Sequence, residues 1–303
     1  MKNCLSDDAA AFLAQKQQLL KPSSLSLYSN ILRIYILPYF RSESQLCQAG
    51  IEEFISDKLA EGLSFSTIQI CIVVLKMLIR QRWISQGLPM AEIKLRWSGP
   101  ACNSEHISSL NRQQHKEFCA YLTSHMDSRN LGLLICLCTG MRQGEVIGLQ
   151  WKDVDTEGRL IHVRKTVQRL YGGENSGERI IGLPKTSTSI RDVPITGKLM
   201  RILKAYKRMM HPETYIVSNA DDPAEARSYR AYYGRLTKKL GLPKVRFHGL
   251  RHSFATRCVE SGCDYKTLSA ILGHASIRTT MDLYVHPDNE QKRRCIEKML
   301  RSL

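Results

Sequence analysis

Residues 131–145, LGLLICLCTGMRQGE, contain the features that decide the fold of this chain. Apolar side chains fill Leu131 to Cys138 and end at a glycine turn, which predicts a buried helix over Arg129 to Gly140. A second, short helix is predicted over Gly144 to Leu149. The turn between them, Thr139-Gly-Met-Arg142, places a basic residue between two apolar segments, so we expect a helical core with a charged group beside it.

The remaining patterns divide the chain into a helical first part and a mixed second part. Ser66 to Arg82 places apolar residues on one helical face, and Leu25 to Tyr39 repeats this pattern up to Pro38. From Arg159 onward, apolar and polar residues alternate between glycines, which predicts a small antiparallel sheet. Further helices are predicted over Lys198 to Met210, Arg227 to Leu240, Leu250 to Glu260, Tyr265 to Leu272 and Glu290 to Leu300. The predicted fold class is mainly α with a small antiparallel β-sheet, an α+β arrangement.

These patterns predict two domains joined by a linker. Residues 1–98 form a helical domain, residues 99–108 a linker rich in turn formers, and residues 109–303 a helix-rich mixed domain that includes a C-terminal helix. Ser109 or Asn111 is placed to cap the first helix of the second domain. A length of 303 residues with 43% hydrophobic side chains is enough to build a core in each domain.

The charge of the chain predicts a polyanionic partner. Forty-four Lys and Arg against 28 Asp and Glu leave a formal charge of +16, with basic residues spread over the whole length. Lys and Arg that neutralise phosphates release condensed counterions, so nucleic acid fits this charge. Ribosomal proteins and membrane-surface proteins share the signature, so the charge indicates a class of partner and no activity.

Cysteine usage and hydropathy predict a cytoplasmic protein. The ten cysteines are scattered without a CxxC pair, as is typical of reduced thiols. Met1 to Asp8 lacks the apolar core of a secretory signal, and runs such as Leu131 to Cys138 are too short to cross a bilayer. We expect no membrane association. Neither a metal-ligand pattern nor a P-loop occurs, so neither a metal nor a nucleotide cofactor is expected.

Four segments of the second domain carry polar or basic residues at unusual positions: Thr139 to Glu145, Leu183 to Thr186, His248 to His252, and Leu272 to His274 followed by Tyr284. Each has an ordinary structural explanation by itself, because most such arginines are solvated, most such lysines lie in loops and most histidines and tyrosines cap or pack. Together, in this order, they resemble the tyrosine recombinase (phage integrase) family over almost the entire chain.

The most specific part of the resemblance is His248-x-x-Arg251-His252, then Leu272-Gly273-His274, then Tyr284 ten residues later. Thr139 to Glu145 resembles the first-arginine box of the family, and Lys185 sits at its hairpin position. The first domain resembles the core-binding helical bundle of the family, with a weaker signal. The resemblance implies a catalytic set that consists of Arg142, Lys185, His248, Arg251, His274 and the nucleophile Tyr284, with Glu145 and His252 in support.

The arginines have a physical reason to be present. Cleaving DNA without a metal requires cations on the non-bridging phosphate oxygens, and the planar forks of Arg142 and Arg251 suit that geometry. Glu145 lies three residues beyond Arg142 and shares its helical face. It either orients this arginine or a neighbouring histidine, or is simply a favourable acidic residue in a first helical turn.

The histidines and the lysine supply acid and base. A tyrosine hydroxyl titrates near ~10, so attack by Tyr284 needs a proton acceptor, for which His248 is the candidate. His248 and Arg251 point the same way, and His252 then points elsewhere, toward a supporting or core position. His274 is the candidate hydrogen-bond donor to the phosphate.

The departing 5′ oxygen needs a proton, and two lysines compete to supply it. Lys185 is the candidate acid. Lys165 is a lower-ranked rival whose ordinary role is a phosphate contact or a solvent-facing strand residue. Tyr265 competes weakly with Tyr284 for the role of nucleophile.

The resemblance implies a site-specific recombinase, an integrase that cleaves and rejoins double-stranded DNA through a 3′-phosphotyrosyl intermediate and a Holliday junction to integrate or excise a mobile element. It also implies a homotetramer on two DNA sites, in which Asn289 to Leu300 docks on a neighbouring subunit or packs on its own domain. Accessory DNA-bending or excision proteins are further expected partners. Because the chain begins at the core-binding domain, we expect it to lack the arm-binding domain of many integrases.

Two other functions fit part of the pattern. A type IB topoisomerase shares this chemistry but relaxes supercoils without exchanging partners, and the two-domain size and late Tyr284 favour recombination over it. A DNA-binding regulator on the same fold is the non-enzymatic alternative. The presence of every matching catalytic position argues against a protein that only binds.

Overall fold

The computed structural model describes residues 5–87, 109–170, 177–182 and 187–284, together with the positions 293, 296–297 and 299–301. The chain forms two compact units, which are Met1–Ser104 with Arg169–Ile180, and Glu105–Gln168 with Ile181–Leu303. The predicted linker at 99–108 lies outside the described residues.

Residues 5–87 of the first unit form a helical bundle. Its helices are α1 (Leu5–Gln17), α2 (Pro22–Ile31), α3 (Leu37–Tyr39), α4 (Gln48–Ala60) and α5 (Phe65–Gln86), with a π-helical turn at Leu32–Ile36 and a 3₁₀ turn at Glu43–Gln45. Large apolar side chains from these helices, among them Phe12, Ile36, Phe54 and Leu75, are fully buried and form one core. The prediction of a helical first domain is confirmed.

Helix α5 is the longest element of this unit, and both of its ends have local causes. The Ser64 hydroxyl accepts a hydrogen bond from the Thr67 amide at 3.3 Å, and Gly87 ends the helix in the left-handed conformation. The observed helix therefore extends beyond the predicted range of Ser66 to Arg82. Near its end, Arg82 forms a largely buried ion pair with Asp8, which joins α5 to α1.

The second unit contains eight helices in its described part. They are α6 (Arg112–Ser124), α7 (Ser128–Thr139), α8 (Gln143–Ile147), α9 (Gly197–Lys207), α10 (Ala226–Lys239), α11 (Phe247–Glu260), α12 (Tyr265–Leu272) and α13 (Ile277–Tyr284). Helices α6, α8, α9 and α11 pack against α7. Helix α7 is apolar around almost its whole circumference, and nine of its residues are buried. The apolar run from Leu131 to Cys138 thus lies in the central helix of this core.

Small sheets lie in the chain between α8 and α9. The strands are β1 (Val154–Asp155), β2 (Leu160–Val163), β3 (Thr166–Arg169), β4 (Arg179–Gly182) and β5 (Arg191–Pro194), with 3₁₀ turns at Trp151–Asp153 and Ser187–Ser189. Strands β1, β2 and β5 form an antiparallel sheet in that order, and β3 pairs with β4. The prediction of a mainly α fold with a small antiparallel sheet is confirmed.

Two helix starts in the second unit matter for the site. Asn111 caps α6 through a reciprocal pair of hydrogen bonds with Gln114, both at 2.9 Å, so of the two predicted caps it is Asn111 that is used. Helix α11 begins at Phe247, earlier than the predicted Leu250, and therefore carries His248 within its first turn.

None of the helices described above is both long enough and apolar enough to span a bilayer.

Candidate active site

The C-terminal end of α12 organises the candidate site. The last carbonyls of a helix have no intrahelical partner, and the helix dipole gives them partial negative charge. Here Arg191 Nε donates to the Ile271 carbonyl at 2.6 Å, Arg251 Nη2 to the Leu272 carbonyl at 2.8 Å, and Arg142 Nη2 to the Gly273 carbonyl at 3.2 Å. Three guanidinium groups from separate parts of the chain thus meet on consecutive carbonyls.

Arg142 is held at this place by a turn that only glycine fits. Gly140 ends α7 with φ of 66°, and a Cβ there would lie 2.5 Å from Phe254 Cδ1 and 2.8 Å from Leu272 Cδ2. The chain then turns so that Arg142 precedes α8, and about a third of its side chain (35%) stays exposed. Arg142 is therefore the arginine of this cluster that faces solvent.

Replacing Gly140 by alanine should misplace Arg142 and destabilise the second unit by roughly 1–3 kcal/mol, because the left-handed backbone and the contacts with Phe254 and Leu272 both oppose a side chain. Chemical denaturation of the variant measures the loss. Gly262→Ala is the matched control, since Gly262 also has a positive φ of 83° but would have nothing within 4 Å of the added carbon. Equal losses in the two variants would contradict the close packing at Gly140.

Glu145 links two of the arginines. Its side chain is buried, and it accepts hydrogen bonds from the Arg142 amide at 2.9 Å and from Arg142 Nη1 at 2.9 Å. Arg191 donates to both carboxylate oxygens, at 3.1 and 2.9 Å. Of the two partners that the sequence left open for Glu145, an arginine or a histidine, the hydrogen bonds are with arginines.

The charge of Glu145 follows from these contacts. Burial favours the neutral acid, but the hydrogen bonds and charges of Arg191 and Arg142 outweigh it, so the pKa of Glu145 is lowered below its ordinary value. Glu145 is therefore an ionised carboxylate between two cations.

Arg251 lies deeper than Arg142. It is 1% exposed, and Nη1 donates to the Gly140 carbonyl at 2.9 Å while Nη2 holds the Leu272 carbonyl. The guanidinium thus ties the end of α7 to the end of α12. The sequence placed both Arg142 and Arg251 at one phosphate, and the structure brings them to adjacent carbonyls of one helix end, with Arg142 outermost.

The two histidines of α11 differ in exposure. His248 is exposed, whereas His252 is buried, and their rings meet edge to face with centroids 4.8 Å apart. Partial desolvation and the charges of Arg251 and Arg142 lower the pKa of His248, and burial with the neighbouring His248 and Arg251 lowers the pKa of His252 to about 4. His248 is therefore a neutral, accessible base at neutral pH.

His274 follows α12 directly and contacts α13. Its Nδ1 lies 2.8 Å from the hydroxyl of Thr280, a fully buried residue of α13. Burial and the nearby Arg251, Arg142 and Arg191 lower the pKa of His274 to about 4. Tyr284 is the last residue of α13, and the structure describes its backbone but not its side chain.

Acidification from pH 7 to 4 should destabilise the second unit. His252 and His274 have a pKa of about 4 when folded and 6.5 as the ordinary value, so the unfolded chain takes up more protons once the pH falls below about 6.5. Stability is full above that pH and declines toward pH 4. Thermal unfolding across this range tests it: His252→Gln should flatten the decline, and His211→Gln, at an exposed loop position, should not. A decline that His252→Gln leaves unchanged would contradict the assignment.

Three other residues that the sequence suggested for the site either lie away from this cluster or fall outside the described residues. Lys185 lies outside the described residues. Lys165 hydrogen bonds with Gln150, and its Nζ lies 3.4 Å from an Asp153 carboxylate oxygen. The same Nζ lies over the Tyr215 ring, 5.4 Å from the ring centroid, in a cation–π contact. Tyr265 begins α12, at the opposite end from Gly273. Neither Lys165 nor Tyr265 has a contact with the three arginines in the described part of the chain.

Sequence reasoning missed two members of the cluster, Arg191 and Thr280. Arg191 opens β5, where burial alternates and Arg191 and Val193 face inward. A charged residue at the inward position of an alternating strand is the signal that could have identified it. Thr280 carries no comparable signal, because buried threonines are ordinary in helices.

A groove of about 710 Å³ opens beside the cluster. Its apolar lining includes Tyr233, Leu242 and Phe247, and it is also lined by His248 and by Gln143, the residue that follows Arg142. Its cationic lining residues are exposed, and they are Arg230, Lys238, Lys244 and Arg246. The groove therefore carries a positively charged lining. Among the described side chains, no group of three or more His, Cys, Asp or Glu is placed to hold a metal ion.

Residues 108–291 match the family model of the phage integrase family. The match covers more than half of the chain and spans every residue of the cluster. The chain therefore belongs to the phage integrase family.

Curated relatives agree with this membership. The tyrosine recombinase XerC-like protein of Caldanaerobacter subterraneus is 30% identical over 185 residues, 55% of this chain and 47% of the relative. The ICEBs1 integrase of Bacillus subtilis is 33% identical over 170 residues, 52% of this chain and 45% of the relative. The chain thus spans about half the length of each of these relatives.

A solved structure shares the fold. The Tn1549 transposon integrase in complex with transposon right end DNA superposes with a TM-score of 0.79 at 22% identity, covering 98% of this chain and 99% of that chain. At this identity the likeness establishes the fold.

Proposed function

We propose that this protein is a site-specific DNA recombinase that cleaves and rejoins double-stranded DNA through Tyr284. The observation that carries the proposal is the convergence of Arg142, Arg251 and His274 on the C-terminal end of α12, directly before the helix that ends at Tyr284. A member of the phage integrase family with this cluster has the groups that phosphodiester cleavage needs.

In the proposed reaction the arginines bind the scissile phosphate. Arg142 is partly exposed, and a guanidinium fork can hold two phosphate oxygens at once. Arg251, which is more deeply buried than Arg142, adds a second positive charge and holds the turn at Gly140 through the Gly140 carbonyl. Both charges oppose the negative charge that develops on the phosphate in the transition state.

The histidines divide the remaining roles. His248 is exposed and neutral, so it can accept the proton of the Tyr284 hydroxyl. If the Thr280 hydroxyl donates to Nδ1 of His274, the ring proton is on Nε2, which can then donate to a phosphate oxygen. Lys185 remains the proposed acid that protonates the departing 5′ oxygen.

The covalent intermediate explains how the strand can be rejoined. The Tyr284 oxygen bonds to phosphorus, the bond to the 5′ oxygen breaks, and that oxygen leaves as a hydroxyl. The 3′-phosphotyrosyl bond keeps the energy of the phosphodiester, so a 5′ hydroxyl of the partner strand can attack phosphorus and release the tyrosine. Two such exchanges make and resolve a Holliday junction.

The charged groove beside the site suits DNA. Its four cations line the same groove as His248, and the chain as a whole carries a formal charge of +16. We propose that this surface neutralises backbone phosphates around the scissile one and that the helical unit at 1–98 supplies further DNA contacts, with 99–108 as the linker to a catalytic domain at 109–303. Affinity should therefore fall steeply with salt.

We further propose a homotetramer on two DNA sites. In the tail at Asn289 to Leu300, the described side chains of Ile296 and Leu300 are exposed and lie four residues apart, as on one face of a helix. Exposed apolar residues at this spacing favour docking on another subunit over packing on their own unit. Integration or excision of a mobile element in the bacterial cytoplasm, with accessory DNA-bending or excision proteins, is the proposed setting, since relatives include integrases and transposases of such elements.

A trapping experiment tests the chemistry. Duplexes that bind the full chain are first selected from a random-sequence library, and each is then nicked beside candidate scissile positions. Cleavage next to a nick releases a short fragment, so the protein stays covalently attached and migrates as a denaturation-resistant adduct. Peptide mapping of that adduct should place DNA on Tyr284. Attachment at Tyr265, or no adduct on any selected duplex, would overturn the proposal.

A second readout identifies recombination. Two differently labelled intact duplexes carrying the selected sequence should yield products that join the two labels. Relaxation of a supercoiled plasmid without joined products would instead identify a topoisomerase.

A further inference from the structure

Arg191 is buried in the cluster, and none of the proposed reaction steps uses it. Its side chain is 6% exposed, against 35% for Arg142. Nε donates to the Ile271 carbonyl at 2.6 Å, and Nη1 donates to the Ser189 carbonyl at 3.1 Å. Both Nη atoms also reach Glu145, at 3.1 and 2.9 Å. Every part of the guanidinium is thus engaged with protein.

The contacts of Arg191 converge on those of Arg142. Glu145 accepts from Arg142 through both oxygens, and both of those oxygens are also held by Arg191. Arg142 also donates to the Gly273 carbonyl, two residues beyond the Ile271 carbonyl that Arg191 holds. Arg191 therefore holds Glu145 directly and holds the end of α12, next to which lies the Gly273 carbonyl that Arg142 contacts.

Close packing around this arrangement limits its freedom. A Cβ at Gly273 would lie 2.9 Å from Arg191 Cδ and 2.9 Å from the Thr188 carbonyl oxygen. The backbone at Gly273, immediately before His274, thus passes the Arg191 side chain so closely that any Cβ there would clash with it. A displaced Arg191 would move both supports of Arg142.

We propose that Arg191 is a positioning residue for the proposed recombinase reaction, which fixes Arg142 for the scissile phosphate through Glu145 and the C-terminal end of α12. The inference rests on the proposed function. The competing explanation is a buried ion pair that contributes only to folding. The two differ because a positioning role acts through Glu145 and changes the rate of cleavage in protein that is already folded and bound to DNA.

The experiment is a double-mutant cycle on the full chain with a selected, nicked duplex as the probe. Arg191→Gln should slow covalent adduct formation at saturating protein about 10–100-fold, since small misplacement of a catalytic group can cost ~10²-fold in rate. Noncovalent binding of the same duplex should change less than about threefold. The double variant Arg191→Gln/Glu145→Gln should be no slower than Glu145→Gln alone, because both changes break one linkage.

The pH profile gives a readout that a folding role would not move. Arg142 and Arg191 are the cations that hydrogen bond with Glu145, and His248 and Arg251 stand nearby. Loss of the Arg191 charge should raise the pKa of Glu145 toward its ordinary value. As the pH is lowered, Glu145 should therefore become protonated at a higher pH in Arg191→Gln than in the wild type, and the cleavage rate of the variant should begin to fall at that higher pH. Arg201→Gln, at an exposed site on α9, is the matched control.

Arg191→Lys covers the case in which the glutamine variant does not fold. Lysine keeps a cation beside Glu145 but lacks the fork, so this variant should fold and still cleave about tenfold more slowly than Arg201→Gln. The inference would be overturned if folded Arg191→Lys cleaved at the wild-type rate, or if the rate losses of Arg191→Gln and Glu145→Gln multiplied in the double variant. In either case an adduct with the wild-type protein would still support the proposed function. Absence of an adduct with wild-type protein would overturn the proposed function itself.

Discussion

Replacing Tyr284 by phenylalanine should abolish covalent attachment to DNA and leave noncovalent binding of the same duplex unchanged. The variant lacks only the hydroxyl oxygen, which is the atom that bonds to phosphorus in the proposed reaction, so no slower version of the same route remains. The expected difference is therefore complete loss of the adduct rather than a reduced rate. Denaturing electrophoresis of labelled nicked duplex measures it, with gel shift of the intact duplex for binding.

Tyr265→Phe is the control for this experiment. Tyr265 begins α12 and lies about 12 Å along the helix from Gly273 at ~1.5 Å per residue, so it is at the opposite end of the helix from the carbonyls that the arginines contact. Its variant should form adduct at the wild-type rate. An adduct that persists in Tyr284→Phe, or that disappears only in Tyr265→Phe, would contradict the assignment of the nucleophile.

The sequence predicted the elements of the second unit well wherever neighbouring residues supply both the hydrophobic pattern and the caps of a helix. Helix α7 is apolar throughout, is capped by Asp127 and ends at a left-handed glycine, so its position follows from a few consecutive residues. Asn111 and Gln114 likewise form a cap that the sequence spacing allows. The start of α11 at Phe247 was less well predicted, because Phe247 packs on Tyr229 and Tyr233 of α10, which are distant in the sequence.

The candidate site divides along the same line. Arg142 and Glu145 are three residues apart, and their contact is local. The contacts that complete the site join residues distant in the chain, such as Arg251 with Gly140 and Arg191 with Glu145 and Ile271. The spacing of residues in the sequence cannot predict such pairs without knowledge of how α12 packs against the sheet. For this reason the sequence did not identify Arg191 as a residue of the site.

The end of α12 explains why these arginines can gather at all. Three guanidinium groups repel one another, and a buried carboxylate compensates only one of the charges. Consecutive helix carbonyls supply further negative potential without being able to take up a proton, so they remain acceptors at any pH. The cluster keeps a net positive charge near Arg142, which is the condition for attracting a phosphate.

Arg251 carries the second large expected effect, because it has both a structural and a proposed catalytic role. Its side chain holds the Gly140 carbonyl and the Leu272 carbonyl and is 1% exposed. Arg251→Met should leave these two carbonyls without those donors, at a cost of about 1–3 kcal/mol each in unfolding free energy. Loss of its charge should also lower the rate of adduct formation by at least about 10²–10³-fold.

Three variants separate these two contributions. Arg251→Lys keeps a charge but offers no fork, so its stability should lie between those of Arg251→Met and the wild type while its cleavage rate stays at least about 10²-fold reduced. Arg257→Gln, on the same helix and paired with Glu260 at 2.6 Å, should cleave at the wild-type rate. Chemical denaturation measures stability, and single-turnover adduct formation at saturating protein measures the rate. If Arg251→Lys cleaves as fast as Arg257→Gln, the charge alone is sufficient and the fork of Arg251 has no part in binding the phosphate.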